Sequence, residues 1–253
     1  MTDGSGLDGR VAVVTGAQQG IGAAIAVALG GCGVRVVVNY LDDADAANEV
    51  CEQVVAAGGD ARAVAADVSN VGDVDRLVEA ANEFGGVDVI VNNAGIFPRA
   101  EFFDMTPQDW DRVLGTNLRG TSLCTQALTR TMVMANRAGA VVNLSSAAAH
   151  SGPALGVHYA ASKAGLIGFT RALAVALGPS NIRVNAVAPG LTDTAQPRHG
   201  MTEAEISAAV ERLPLGRIAS AADIASTVVF LAGDASRHVT GQVLHVNGGQ
   251  LLI

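Results

Sequence analysis

Lysine is almost missing from this chain. Of 16 basic residues, 15 are arginine and one is lysine, Lys163. Tyrosine is nearly as scarce. There are two, Tyr40 and Tyr159, and the lone lysine stands four residues after the second. The three cysteines, Cys32, Cys51 and Cys124, form no CxxC pair. An odd count without that spacing reads as reduced, structural thiols of a cytoplasmic protein, and no metal site is expected. No apolar run approaches the ~18 residues of a membrane span. The polar, glycine-rich start Met1–Arg10 lacks the hydrophobic stretch of a signal peptide. Positive charge is also short: the net charge of −8 argues against nucleic acid as a partner. A positive mean hydropathy excludes disorder as the main state. At 253 residues the chain can bury one large core.

Short β-branched runs alternate with Ala-rich helical patterns. Residues 11–15, 35–39, 61–65, 87–92, 140–144, 183–188 and 242–246 read as strands, mostly apolar throughout, as strands buried on both faces are. Residues 21–31, 44–57, 73–84, 106–136, 156–177 and 221–231 read as helices. The alternation predicts a single-domain, Rossmann-like, doubly wound α/β fold of seven mainly parallel strands with helices on both faces. Residues 191–217 break the alternation with two prolines, two glycines and a helix-like piece at 202–212. An insertion after a strand is the expected place for a substrate lid.

The first strand runs into Thr15-Gly16-Ala17-Gln18-Gln19-Gly20-Ile21-Gly22, where a helix begins. Glycines let backbone amides approach a diphosphate, and the helix N-terminus adds partial positive charge. The spacing departs from G-x-G-x-x-G, and no Lys-Ser/Thr follows as in a Walker loop. Tyr159 and Lys163, i and i+4 on a predicted helix, share a face. A nearby ammonium favours the phenolate, so the pair can serve as a tuned acid/base for carbonyl/alcohol interconversion. Just past the strand 140–144 lie Ser145 and Ser146, either of which could polarise a substrate oxygen. Asn117 falls on the inward row of the long helix 106–136. Gly115, Gly120 and the Asn itself weaken that helix, and such disruption often marks a functional site.

Several motifs together resemble the short-chain dehydrogenase/reductase family over about residues 6–249. They are Thr15–Gly22, Asn92-Asn93-Ala94-Gly95, Asn117, Ser146, Tyr159-x-x-x-Lys163 and Pro189-Gly190. The likeness is to the subfamily that includes 3-oxoacyl-[acyl-carrier-protein] reductases and many sugar, steroid and secondary-alcohol dehydrogenases. The resemblance implies an NAD(P)-dependent oxidoreductase with Tyr159 as acid/base, Lys163 lowering its pKa and Ser146, 13 residues before the tyrosine, polarising the substrate. It also implies that Asn117 holds a water in a proton relay. NAD or NADP is expected against Gly16, Gln18, Gln19, Gly20, Ile21, Tyr40, Asn93, Ala94, Gly95, Tyr159, Lys163, Pro189, Gly190 and Thr192. Asp67 and Val68 would touch the adenine, and Thr194 would hold the nicotinamide carboxamide. Asn93 could equally brace the sheet.

Neither an Asp at position 40 nor an Arg at 19 or 41, the family's signatures for NAD and NADP, is present. Asp42 and Asp43 tilt the expectation to NAD, Asp42 disfavouring a 2′-phosphate. The substrate is expected to be a small-molecule ketone or secondary alcohol with apolar bulk, in a pocket drawn from Ile96, Phe97, Ala148, His150, Leu155 and the lid. Arg99, Arg119 and Arg130 could meet a carrier protein. By resemblance the long helices and the C-terminal strand build a homotetramer with two-fold axes, and the apolar end 251–253 fits burial there. Two rival readings stand beside this one: a non-catalytic nucleotide sensor on the same fold, and another Rossmann-like enzyme such as a methyltransferase.

Overall fold

The computed structural model describes residues 5–198 and 200–252. Seven strands form one parallel sheet: β1 (Val11–Val14), β2 (Arg35–Tyr40), β3 (Asp60–Ala65), β4 (Val89–Asn92), β5 (Gly139–Leu144), β6 (Ile182–Pro189) and β7 (Val243–Val246). Their order is β3-β2-β1-β4-β5-β6-β7. The chain thus winds outward from β1 one way and from β4 the other, and the crevice where the order reverses opens at the strands' C-terminal ends. Registers place Val14 beside Val38 and Val91, and Asn92 beside Asn143.

Helices cover both faces. They are α1 (Gly20–Gly30), α2 (Ala44–Ala57), α3 (Val71–Glu83), α4 (Pro107–Leu114), α5 (Thr121–Met134), α6 (Ala148–Ser151), α7 (Val157–Leu177), α8 (Ala195–Arg198), α9 (Glu203–Glu211) and α10 (Ala221–Ala232). One core joins Ile25, Leu29, Val54, Ile224, Val228 and Leu231 to Ala12, Val14 and Val36 of the sheet. The other joins Leu77, Leu128, Met132 and Ala174 to Val11, Val13, Val141 and Val184. Neighbouring strand residues thus alternate between two cores, which is why the strands read as unbroken apolar runs. Helix starts follow local chemistry. Asp43 caps α2, and Thr106/Asp109, Thr202/Glu205 and Ser220/Asp223 form capping boxes.

The structure departs from the sequence expectation in three places. The helix expected over 106–136 is split: Gly115–Gly120, between α4 and α5, is a π-helical turn. α6 and α8, each a single turn, have no periodicity long enough to be read from sequence. The helical run Ala154–Ser180 has 27 residues and a window of mean hydropathy 1.3, long and apolar enough to cross a membrane by length and composition alone. It is not an unbroken apolar run, because Lys163, Arg171 and several small polar residues are spread along it. The run lies along β6 and α4, where it carries Tyr159 and Lys163.

Candidate active site

The glycine-rich turn after β1 is a fitted cradle. Gly16 has φ +59°, and a Cβ there would sit 2.9 Å from Cα of Ala94. A Cβ on Gly22 would meet the Gly16 carbonyl and come within 2.5 Å of Asn93 Nδ2. The turn is held from both sides. Asn39 Oδ1 accepts from Gly16 N at 3.0 Å, while its Nδ2 donates to Tyr40, Val64 and Ala66 carbonyls. Asn93 Nδ2 donates to the Thr15 and Gly16 carbonyls at 2.9 and 2.8 Å. Thr15 Oγ1 accepts from the Asn93 and Ala94 amides. Gln19, at the start of α1, makes no side-chain cap, so the first-turn amides face outward as an anion site requires. These features fit a dinucleotide diphosphate.

At the other wall of the crevice stands the Tyr159 cluster. α7 starts at Val157 and places Tyr159 and Lys163 one turn apart, both buried. Lys163 Nζ donates to the Leu144 carbonyl at 2.7 Å and lies 5.7 Å from the Tyr159 ring centroid. Burial lowers its pKa to about 8. Burial also pushes the Tyr159 phenol up, and hydrogen bonds from Ser146 and Gln196 to its hydroxyl act against that rise. Desolvation is thus the largest influence on the phenol. The two serines just past β5 have different surroundings. Ser145 is buried and donates to the Lys163 carbonyl at 2.8 Å; Ser146 faces the cavity and accepts from Ala148 N.

Asn117 sits in the π turn with no exposed surface. Its Oδ1 accepts from Ile96 N at 2.8 Å, and its Nδ2 donates to the Ile96 carbonyl and to Ser162 Oγ. A Cβ on Gly95 would lie 3.2 Å from Asn117 Oδ1 and 3.4 Å from Lys163 Nζ, so Gly95 is the gap between the two. A polar ladder continues across the sheet, Asn92 to Asn143 to Thr170, at 2.8 and 2.9 Å.

A cavity of about 480 Å³ brings together Ile21, Asn93, Gly95, Ser146, Tyr159, Lys163, Pro189, Gly190, Thr192 and Thr194. Thr192 Oγ1 donates to the Gly190 carbonyl. Gln19 lines a smaller neighbouring cavity with Ile96, Phe97 and Gln196. The other expected cofactor residues lie outside these linings. Gln18 bridges to Asp42 Oδ1 and Leu41 N, both at 2.9 Å, and Asp67 accepts from Ser69. Val68 is buried against Gly120. Gly16 and Gly20 belong to the turn after β1, Tyr40 to the end of β2 and Ala94 to the chain just past β4. Of the expected substrate-pocket residues, Phe97, Ala148 and Leu155 line the larger cavity. His150 does not: its ring stands edge-on to His245, 5.0 Å away, because the single turn of α6 carries it toward β7. Arg119 is spent on the Ser69 carbonyl. Of the apolar end, Leu252 is 83% exposed, and Ile253 lies outside the described residues.

Sequence reasoning missed Asn39 and Gln196. Asn39 acts across 23 residues of sequence, and Gln196 reaches Tyr159 only through the folded lid; neither has a local signal.

Residues 16–250 match the family model described as Enoyl-(Acyl carrier protein) reductase. A 3-oxoacyl-[acyl-carrier-protein] reductase of Synechocystis sp. is 40% identical over 97% of this chain and 98% of its own length. An L-rhamnose 1-dehydrogenase (NAD(P)(+)) of Azotobacter vinelandii is 42% identical over 95% and 96%. A solved Agrobacterium tumefaciens protein, provisionally described as a 2-deoxy-d-gluconate 3-dehydrogenase and carrying bound NADP, superimposes with a TM-score of 0.90. It is 35% identical, with 98% of both chains covered. With the fold, the cradle and the Tyr-Lys pair already in place, these likenesses settle the matter: the chain belongs to the short-chain dehydrogenase/reductase family of NAD(P)-dependent oxidoreductases.

Proposed function

We propose that this single-domain protein interconverts a ketone and a secondary alcohol, with Tyr159 as the general acid/base. The supporting observation is the convergence of Tyr159, Ser146 and Lys163 on one cavity with Gly95, Gly190 and Thr194. NAD(P), when bound, supplies or accepts the hydride. Gly16, Gly20, Ile21, Asn93 and Ala94 would hold its diphosphate end, and Pro189, Gly190, Thr192 and Thr194 its nicotinamide end. The Ser146 hydroxyl, which accepts from Ala148 N and is bonded to the Tyr159 hydroxyl, would turn its proton to the substrate oxygen when substrate is bound. Tyr159 gives its proton to the developing alkoxide in reduction and takes it back in oxidation. Lys163, with a pKa of about 8, can reload that proton near neutral pH. Asn117, one glycine away from Lys163, would hold the water of a relay to solvent. Retention of both Tyr159 and Lys163 argues against a non-catalytic nucleotide sensor.

The cofactor reading leans to NAD. Asp42 is fixed by Gln18 just beyond β2, where a carboxylate favours a ribose hydroxyl over a phosphate. A kcat/KM for NADPH tenfold above that for NADH overturns this lean. The substrate reading follows the lining: Phe97, Leu155, Leu191 and Met201 suit an acyl-type oxo compound better than a polyol. Residues 191–217 would act as its lid. Exposed Met134 and Val175 on α5 and α7 support pairing of these helices between subunits of a cytoplasmic homotetramer. A monomer by light scattering at micromolar concentration would refute it. The decisive test is Tyr159→Phe: turnover of a 3-oxobutanoyl thioester should fall at least ~10³-fold, with cofactor affinity kept by fluorescence titration. A variant that turns over at the parent rate removes Tyr159 from the mechanism.

A further inference from the structure

We infer that Phe97 is the positioning residue for Tyr159: its ring, stacked on the phenol, fixes the plane of the acid/base and shuts water from one face. This rests on the proposed acid/base role. The two rings lie 4.1 Å apart between centroids, with 16° between their planes. Phe97 comes from the loop after β4 and Tyr159 from the first turn of α7, so the stack joins two walls of the crevice. The space for it is built in. A Cβ on Gly156 would come within 2.5 Å of Phe97 Cε2, so any side chain there would drive the ring away. Pro153 closes the same corner. The Arg99 guanidinium lies over the Phe97 ring at 5.6 Å, within cation–π range. Phe97 also lines both the larger and the smaller cavity, so it is the partition between them. Stacked aromatics resist sliding and tilting more than an aliphatic neighbour does. A phenol so held keeps its hydroxyl aimed between Ser146 and Gln196.

The charged groups lining the two cavities beside the stack are Lys163 on α7, Arg99 on the loop, Glu205 on α9 and Arg112 on α4, and none of them is substituted in the variants below. Because burial raises the Tyr159 pKa, wetting the ring should lower it. The scarcity of tyrosine makes this directly readable. In a Tyr40→Phe background Tyr159 is the one phenol left, and the ultraviolet absorbance of tyrosinate in the cofactor-free protein reports its ionisation alone.

Two substitutions on different elements break the stack, Phe97→Ala by removing the ring and Gly156→Ala by displacing it. Both should move the ionisation midpoint to lower pH. Both should cut kcat for a 3-oxobutanoyl thioester roughly three- to tenfold, the size of one aromatic pair, with KM for the dinucleotide unchanged. Phe97→Tyr, tested by kinetics alone, should restore kcat. An unchanged midpoint in both variants overturns the inference, as does a loss that Phe97→Tyr fails to rescue. Should Tyr159→Phe prove active, the acid/base reading falls by itself, and the titration still decides whether Phe97 shields the phenol.

Discussion

The two walls of the crevice are held by different means. On the β1–β2 side the glycine turn is locked by two side-chain amides: buried Asn39 and half-buried Asn93 together make six hydrogen bonds to backbone atoms at or around it. On the lid side the chain after Pro189 is tied by exposed ion pairs, Arg198 to Asp193 and to Glu203, and by the Gln250 side chain accepting from Leu191 N. Exposed pairs contribute ~1 kcal/mol or less, while a buried polar group deprived of its partner costs ~1–3 kcal/mol. By these terms the side chains of the first wall are the more costly to disturb.

That contrast can be broken from the rigid side first. Gly22→Ala puts a methyl against the Gly16 carbonyl and Asn93. It should weaken cofactor binding by ~10²-fold or more, since the turn and the brace cannot both remain; calorimetric titration with NADH or NADPH checks this, and parent-like affinity would show the cradle to be soft. Next comes Lys163→Met. A pKa moved from 10.5 to about 8 records a buried ammonium held at a cost of up to ~3 kcal/mol. The folded chain binds that proton more weakly than the unfolded one. The penalty is therefore absent above pH 10.5 and fully present below pH 8. Lys163→Met should abolish turnover yet raise Tm at pH 7, with the gain shrinking as pH climbs through that window. A lower Tm at pH 7 would mean that the bond to Leu144 outweighs the burial. The smallest effect belongs to the side of the exposed ion pairs. Arg198→Ala should change Tm by only a degree or two and shift substrate KM less than about fivefold. A large loss of stability would show the lid to be as fixed as the cradle.

Much of this was legible in the sequence, for reasons that differ by residue. The seven strands and the positions of α1, α2 and α7 follow from hydrophobic period and caps. The π turn was legible as a weakness, through Gly115, Asn117 and Gly120, but not as a geometry, since no local preference distinguishes a wide turn from a break. Ser146 was separable from Ser145 only by resemblance; in the structure the Ser145 hydroxyl is bonded to the Lys163 carbonyl, while Ser146 meets Tyr159. Asn39 looked like one more strand residue, its partners being distant in sequence. His150 was misplaced because a single-turn helix leaves no periodic trace.

The wide turn at Gly115–Gly120 has a consequence for how this helix can vary. An added residue in a helix advances everything beyond it by about 100°, so α5 is rotated relative to what an unbroken helix from Thr106 would present. Deleting one residue from that turn would leave a smoother, more regular rod. It would also swing Thr121, Thr125 and Thr129 away from the sheet and pull the Asn117 amide off Ile96. Irregularity here is an indexing device, and length changes in relatives should be tolerated on either side of it but not within it.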